Sequence, residues 1–492
     1  MLLLGLDIGT SSIKASIIDS VSQQIIAAAQ YPETESSIIS LNPGWAEQSP
    51  DMWWEHVRLA ILKLHSQRKY DPKDIGAIGI AYQMHGLVMV DKEKNVLRNS
   101  IIWCDSRAVE IGDIAFEKMG KEKCLSHLLN SPGNFTASKL AWVKQNEPAI
   151  YAKADKIMLP GDFIAMKLTG EITTSIAALS EGMFWDFRQN ELSEMVFEAY
   201  DLDTALIPQI KNVFDEHGKL LSTVAEALSL KTGIPVTYKA GDQPNNALSL
   251  NVLEPGEVAA TAGTSGVIYA VSEKLTCDKS SRINSFAHVN YTPELKRIGA
   301  LLCINGTGIL NRWVKNITGN NLSFHQMDEA AATVEPGSEG ITVLPFGNGA
   351  ERILNNKMVG AHISGLDLNK HSTAHLYRAA QEGIAFAFRY GLDIMKENGV
   401  HPHVIRAGKA NMFCSDVFTR SFVNALQVPV ELYNCDGSAG AALGAGLGAK
   451  IYHDPKEAFL QFKPLARIEP DKNDVLEKFY QQWLAHLKQQ LN

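Results

Sequence analysis

Leu2 to Ile8 is an apolar run that breaks at the small polar residues Gly9-Thr10-Ser11 and resumes in Ile13-Lys14-Ala15-Ser16-Ile17-Ile18-Asp19. Strand-like segments on both sides of a short polar turn predict a β-hairpin. About half a chain length later the arrangement recurs, with Val258 to Ala262, Gly263-Thr264-Ser265 and then Gly266-Val267-Ile268-Tyr269. In each turn glycine is expected to supply a positive φ, and the backbone N–H groups and two hydroxyls form a nest of donors suited to an anion, above all phosphate. Between the hairpins the spacing predicts a helix from about Pro50 to Ser66 and a buried strand from Ile75 to Ala81. A strand at Leu87 to Asp91, the apolar Ile101-Ile102-Trp103 and mainly helices as far as Lys167 follow. The second half reopens with β signals at Thr237 to Ala240. It later carries an amphipathic helix near Ser372 to Glu397, a strand at His403 to Gly408, a helix around Phe413 to Leu426 and the small-residue run Gly437 to Ala449. Strands followed by helices in both halves predict two α/β domains, each with a mixed sheet, and a cleft between them. Gly233, Pro235 and Gly241 punctuate the pattern, so the boundary and a hinge are expected near Gly233 to Asp242.

A length of 492 residues exceeds one core and fits two domains, and 45% hydrophobic with 20% charged residues is an ordinary globular balance. A net charge of −8 gives no footprint for nucleic acid or an anionic membrane. The opening lacks a basic segment and holds Asp7 inside its apolar run, and no stretch approaches the ~18 apolar residues of a membrane span, so a cytoplasmic chain is expected. The six cysteines contain no C-x-x-C pair and no zinc-like spacing, which predicts reduced, mostly buried thiols.

Two phosphate-suited turns on two halves point to a pair of grips on a polyphosphate, hence to phosphoryl transfer. Asp7 beside the first turn is costly near phosphate unless a divalent cation lies between them, although a polar hairpin with a capping aspartate has the same pattern. Asp242 opens a helix after a strand, where it serves as a helix-end carboxylate, as a catalytic base or as both. Gln83-Met84-His85-Gly86 brings a polar pair out of two buried strands, yet a lone histidine is more often structural. Cys104-Asp105-Ser106-Arg107 invites the same doubt, and an exposed ion pair there would contribute about 0 to 1 kcal/mol. The Gly437 to Ala449 run predicts a helix that lets backbone approach closely, against another helix or a flat ligand such as adenine.

Together these segments resemble the FGGY carbohydrate kinases of the actin and hexokinase superfamily, over essentially the whole chain. Asp7 to Ser12 is similar to the family's Asp-x-Gly-Thr-(Ser/Thr)-Ser phosphate loop, and Phe135-Thr136-Ala137-Ser138-Lys139-Leu140-Ala141-Trp142 to its first signature. Gly437 to Ala449 resembles its glycine-alanine second signature, and Gln381 to Phe386 its Glu-Gly-(Val/Ile)-Ala-Phe helix. Within the family the closest likeness is to the xylulose-phosphorylating members, which carry Gln-Met-His-Gly and an Ala/Gly-Gly-Asp-(Gln/Asn) segment like Ala240 to Gln243.

The resemblance implies an α/β fold of two ribonuclease H-like domains, residues 1–240 with the sugar site and first phosphate loop and 241–492 with the base, second loop and adenosine site. It implies ATP and Mg²⁺, a small ketose as substrate, no nucleic-acid or membrane partner, and admits a homodimer. The implied reaction is phosphorylation of D-xylulose. Ribulose, gluconate or a related polyol is the alternative acceptor, and a nucleotide-dependent chaperone or scaffold the alternative of another class. Asp242 would accept the proton and Asp7 would hold Mg²⁺ through water. Gln83, Met84, His85, Asp105, Asp242 and Gln243 would bind sugar. Thr10, Ser11, Lys14, Gly263, Thr264, Ser265, Gly306, Gly408, Lys409 and Asn411 would bind the nucleotide. Two departures stand out: Ala407-Gly408 replaces the usual Gly-Gly of the adenosine loop, and Pro244-Asn245-Asn246 adds two amides expected near the sugar site.

Overall fold

Leu2–Ile8 (β1), Ile13–Asp19 (β2) and Ile25–Tyr31 (β3) pair antiparallel, and Ile75–Tyr82 (β4) and Val236–Gly241 (β5) add parallel on the other side of β1. The sheet order is β5-β4-β1-β2-β3. These relations come from a computed structural model, which describes residues 1–275, 277–319, 321–472 and 475–491.

The second sheet repeats the plan. Glu257–Ala262 (β6), Gly266–Ser272 (β7) and Ile298–Ile304 (β9) are antiparallel, while Val404–Gly408 (β10) and Val430–Tyr433 (β11) run parallel to β6. Asn284–Ala287 (β8) and Ala466–Ile468 (β12) extend its two edges. A three-strand meander with two parallel strands beside its first member thus occurs twice, as the two-domain ribonuclease H-like reading requires.

Both predicted hairpins form, but neither Gly9 nor Gly263 has a positive φ. Glycine at position 9 answers to space instead: a Cβ there would stand 2.9 Å from the Ser12 carbonyl, which accepts the Gly9 N–H at 3.1 Å. The strand read at Thr237 to Ala240 also belongs to the first sheet, where Gly241 pairs opposite Tyr82. Within the hinge expected at Gly233 to Asp242, residues 236–241 are therefore ladder-paired strand. The chain passes to the second sheet only after the helix Asp242–Ser249.

Helix α1 (Pro50–Ser66) covers the outer face of the first sheet, capped by the Ser49 hydroxyl and with Pro50 at its start. Helix α2 is Ile176–Glu181, α3 Asp242–Ser249 and α4 Gly308–Thr318. Helices α5 (Thr373–Glu397) and α6 (Asp416–Leu426) pack in the outer core of the second sheet. Between the sheets lies α7 (Gly437–Gly448), the small-residue run. It rests on β1, β4 and α3, so a helix from late in the chain packs on the first sheet. A Cβ at Gly79 would collide with the Ala441 carbonyl, one at Gly5 with the Ser438 carbonyl, and one at Gly440 with Ser249 Oγ. Close packing therefore accounts for the glycines of this seam, and the core between the sheets is shared by both halves.

All six cysteines are free, as expected, but only Cys124 is buried; Cys104 and Cys414 are exposed and the other three intermediate. Among the described residues no helix is long and apolar enough to cross a membrane.

Candidate active site

Three neighbouring strands of the first sheet end at one level, with Ile8 and Gly241 both opposite Tyr82. Ligands of open α/β sheets bind at the carboxyl ends of such strands. The edge gathers Gly9-Thr10-Ser11 after β1, Gln83-Met84-His85 after β4 and Asp242 after β5. The second sheet does the same with Gly263-Thr264-Ser265 after β6 and Lys409 to Asn411 after β10.

Asp242 is the first residue of α3, with Gly241 as N-cap. Burial pushes its carboxyl up to about 7, the neighbouring Asp7 carboxylate adds to the rise, and backbone N–H groups at the helix start oppose it. Asp7 is held up at about 6 by burial, against the attraction of Lys14 and with repulsion from Asp436. Lys14 Nζ lies 3.6 Å from Asp436, the N-cap of α7. Gly437 makes room for Asp7, since a Cβ there would sit 2.5 Å from Asp7 Oδ2. Two buried carboxyls with raised proton affinity, Asp7 adding to the rise at Asp242, suit a divalent cation placed near them. Among the described residues no three His, Cys, Asp or Glu side chains form a metal group, so such a cation would take its remaining ligands from water or phosphate oxygens.

Gln83 is buried and ties the Gln83-Met84-His85 segment to the Gly9-Thr10-Ser11 loop. Its Oε1 accepts the Thr10 hydroxyl at 3.0 Å and its Nε2 donates to Gln48 at 3.1 Å, while Gln48 donates to the Thr10 carbonyl at 2.8 Å. The Trp103 indole donates to Thr10 Oγ1 at 2.9 Å, so the hydroxyl's one proton is committed to Gln83.

His85 occupies the left-handed region at φ 62°. Its Nδ1 donates to the Glu181 carbonyl at 3.1 Å, leaving Nε2 as an acceptor, and burial with the nearby Lys139 charge pushes the imidazole down to about 3. Phe135 packs edge-on to the ring at 4.8 Å between centroids, and Phe286 of β8 meets it at 5.4 Å, so both halves wall the histidine. The fully buried Lys139 donates to the His85 carbonyl at 2.7 Å.

Asp105 does not open onto this edge. It is fully buried, accepting Ala46 N–H at 2.6 Å and pairing with Arg107 at 2.7 Å. The pair expected to be exposed is therefore internal, and Arg107 lies 3.8 Å from the centre of the Trp45 ring. Asn245 likewise turns inward, donating to the Gly437 carbonyl at 2.8 Å, and clips α3 to α7.

A cleft of about 460 Å³ lies at the end of β6, lined by Gly263, Thr264, Gly308, Asn311, Asp328, Asn411 and Met412 among others. Gly308 and Ile309 at the head of α4 donate to the Gly263 and Thr264 carbonyls at 2.8 and 3.2 Å. Gly306, Gly408 and Lys409 stand behind this cleft: Gly306 N–H donates to Glu351 at 3.1 Å, Gly408 abuts Cys435, and Lys409 N–H donates to Tyr433 at 2.8 Å. Ser11 and Lys14 are exposed on the first hairpin.

Sequence reasoning passed over Asn311 and Glu181. Asn311 shares the buried face of α4 with Leu310 and Val314. Glu181 is a carboxyl inside the continuously buried stretch 177–187. A polar residue in an apolar stripe was the available signal in both cases.

Residues 2–249 match the sequence model of the FGGY family of carbohydrate kinases, N-terminal domain, and residues 258–450 that of the C-terminal domain. The xylulose kinase of Escherichia coli (strain K12) is 28% identical over 497 residues, spanning 98% of this chain and 99% of that protein. Among solved structures, the xylulose kinase from Rhodospirillum rubrum superposes with a TM-score of 0.87 at 25% identity over 99% of each chain. A gluconate kinase from Lactobacillus acidophilus reaches 0.89 at 19% identity, over 100% of this chain and 98% of its own, a likeness of fold alone. Two family domains matched in order over most of the length, on the doubled sheet plan that such kinases share, establish that the chain belongs to the FGGY family of carbohydrate kinases.

Proposed function

We propose that the protein transfers the γ-phosphoryl group of ATP to the terminal hydroxyl of D-xylulose, releasing ADP and D-xylulose 5-phosphate, in the cytoplasm. The observation that carries this reading is the convergence of Asp242 with Gln83-Met84-His85 at one sheet edge, beside the first of two phosphate-suited loops. The names of the relatives support the sugar. Residues 1–240 contribute the sugar side and first loop, and residues 241–492 the base, second loop and nucleotide cleft.

Asp242 takes the proton of the hydroxyl as its oxygen attacks the γ-phosphorus and the bond to the bridging oxygen of ADP breaks. A positioned base of this kind contributes about 10²- to 10⁴-fold. The neutral His85 accepts a sugar hydroxyl at Nε2, and Met84 and Gln243 complete the wall around the sugar. Gly263, Thr264 and Asn411 hold the nucleotide. Mg²⁺, when bound, neutralises phosphate charge beside Asp7 and Asp242. Narrowing of the cleft excludes water, which would otherwise take the phosphoryl group.

A coupled ADP-release assay over ketoses, polyols and sugar acids tests the reading. D-Xylulose is expected to give the highest kcat/KM. A higher value for ribulose, gluconate or a polyol would replace the proposed substrate.

A further inference from the structure

Glu181, the last residue of α2, is 2% exposed, and among the described residues its Oε1 has no hydrogen-bond partner. Its Oε2 lies against the backbone before the base, since a Cβ on Gly241 would stand 2.8 Å from it and 2.7 Å from Met84 Cγ. Its backbone carbonyl accepts His85 Nδ1 at 3.1 Å. The preceding Ser180 accepts the Ala287 N–H at 2.9 Å, which fastens α2 to the β8 strand that carries Phe286 to the histidine. One helix end thus meets the histidine, the residue before Asp242 and the second half.

We propose that Glu181 is a positioning residue of the sugar site, its carboxyl group wedged between His85 and the Gly241-Asp242 junction so that the imidazole and the base keep the spacing a ketose needs. The inference rests on the reading of Asp242 and His85 given above. A non-glycine residue at φ 62° persists only where its surroundings hold it. The carbonyl of Glu181 fixes the ring tautomer, and its side chain is within reach of the His85 N–H and the Tyr82 hydroxyl. Burial and the neighbouring Asp242 and Asp162 charges favour the protonated acid well above the ordinary carboxylate range. A neutral group at this point fills the space behind the base without adding a third negative charge to Asp7 and Asp242.

The test compares Glu181→Ala and Glu181→Gln with the parent enzyme, using whichever sugar the parent phosphorylates best in the substrate panel. Failure of D-xylulose itself therefore counts against the substrate assignment and not against Glu181. For Glu181→Ala the KM for sugar is expected to rise at least tenfold while the KM for ATP changes less than twofold, and exchange of the His85 amide with deuterium should quicken. Glu181→Gln, neutral and of the same shape, should recover most of the sugar KM and keep the acidic limb of kcat/KM where the parent has it. An unchanged sugar KM in Glu181→Ala overturns the proposal. So does an equal rise in both KM values, which marks a scaffold residue, or an acidic limb in Glu181→Gln displaced downward, which marks a charged carboxylate.

Discussion

Asp242 and Asp7 are two carboxyls whose environments raise their proton affinities together, and this makes the chemistry depend on pH. As the proposed base, Asp242 works only when ionised, so kcat/KM of the free enzyme should fall as pH drops through about 7. Asp242→Asn should lower sugar phosphorylation at least about 10²-fold, with ATP binding retained; near-parental turnover would remove Asp242 as the base. Stability runs the other way. Because the folded-state value lies above the ordinary 3.8, the unfolded chain releases the proton first, and stability is lost as pH rises from about 4 through about 7. Asp242→Asn should therefore be more stable than the parent at pH 8 by on the order of a few kcal/mol and nearly equal to it at pH 4. Denaturant unfolding at the two pH values measures the difference. His85→Ala should impair use of D-xylulose more than sugar-independent ATP hydrolysis, because the proposed role of the ring's Nε2 is to accept a sugar hydroxyl. Equal impairment of both activities would make His85 part of the scaffold.

Helix α7 shows how an element can serve a site it does not touch with a functional side chain. Its glycines let it lie directly on β1 and β4, its first turn makes room for Asp7, and its N-cap Asp436 meets Lys14. The carboxyl ends of β1 and β4 are thereby held at one height. Gly79→Ala places a methyl group against the Ala441 carbonyl, a backbone atom that cannot rotate away. The expected loss is about 1 to 3 kcal/mol of unfolding free energy, with kinase activity reduced through displacement of Asp7. A variant of parental stability would show that α7 can lift from the sheet at little cost.

Across the molecule, the two halves are joined on the sugar side by the Asn130 amide, which donates to the Ser285 carbonyl at 2.6 Å and accepts the Ser285 N–H at 2.8 Å, and by Phe286 against His85. The chain crosses between the two sheets after Ser249, before Gly437 and again after Gly448, so relative motion has to use these crossings. Sugar and nucleotide contact both halves in the proposed complex, and their binding should favour the narrower cleft. Small-angle scattering is expected to record a smaller radius of gyration with D-xylulose and a non-hydrolysable ATP analogue together. No change would count against closure as part of the reaction.

Local pattern carried the elements and much of the chemistry: both hairpins, α1 to the residue at Pro50–Ser66, the long helix near Thr373–Glu397, and the motif order that led to the family. Such features depend on residues close in the chain, where periodicity and turn composition act directly. The partner of Val236–Gly241 was a different matter, because a buried parallel strand reads the same whichever sheet receives it. The fate of Asp105 was likewise decided by Arg107, Ala46 and Trp45 closing around it, contacts that leave no trace in its own Cys-Asp-Ser-Arg context. The glycines of α7 announced close packing but not against what. Above all, the raised proton affinities of Asp7 and Asp242 and the placement of Glu181 beside Gly241 arise from burial and proximity between segments up to 429 residues apart. Charge and desolvation act through space, and only the folded chain defines those distances.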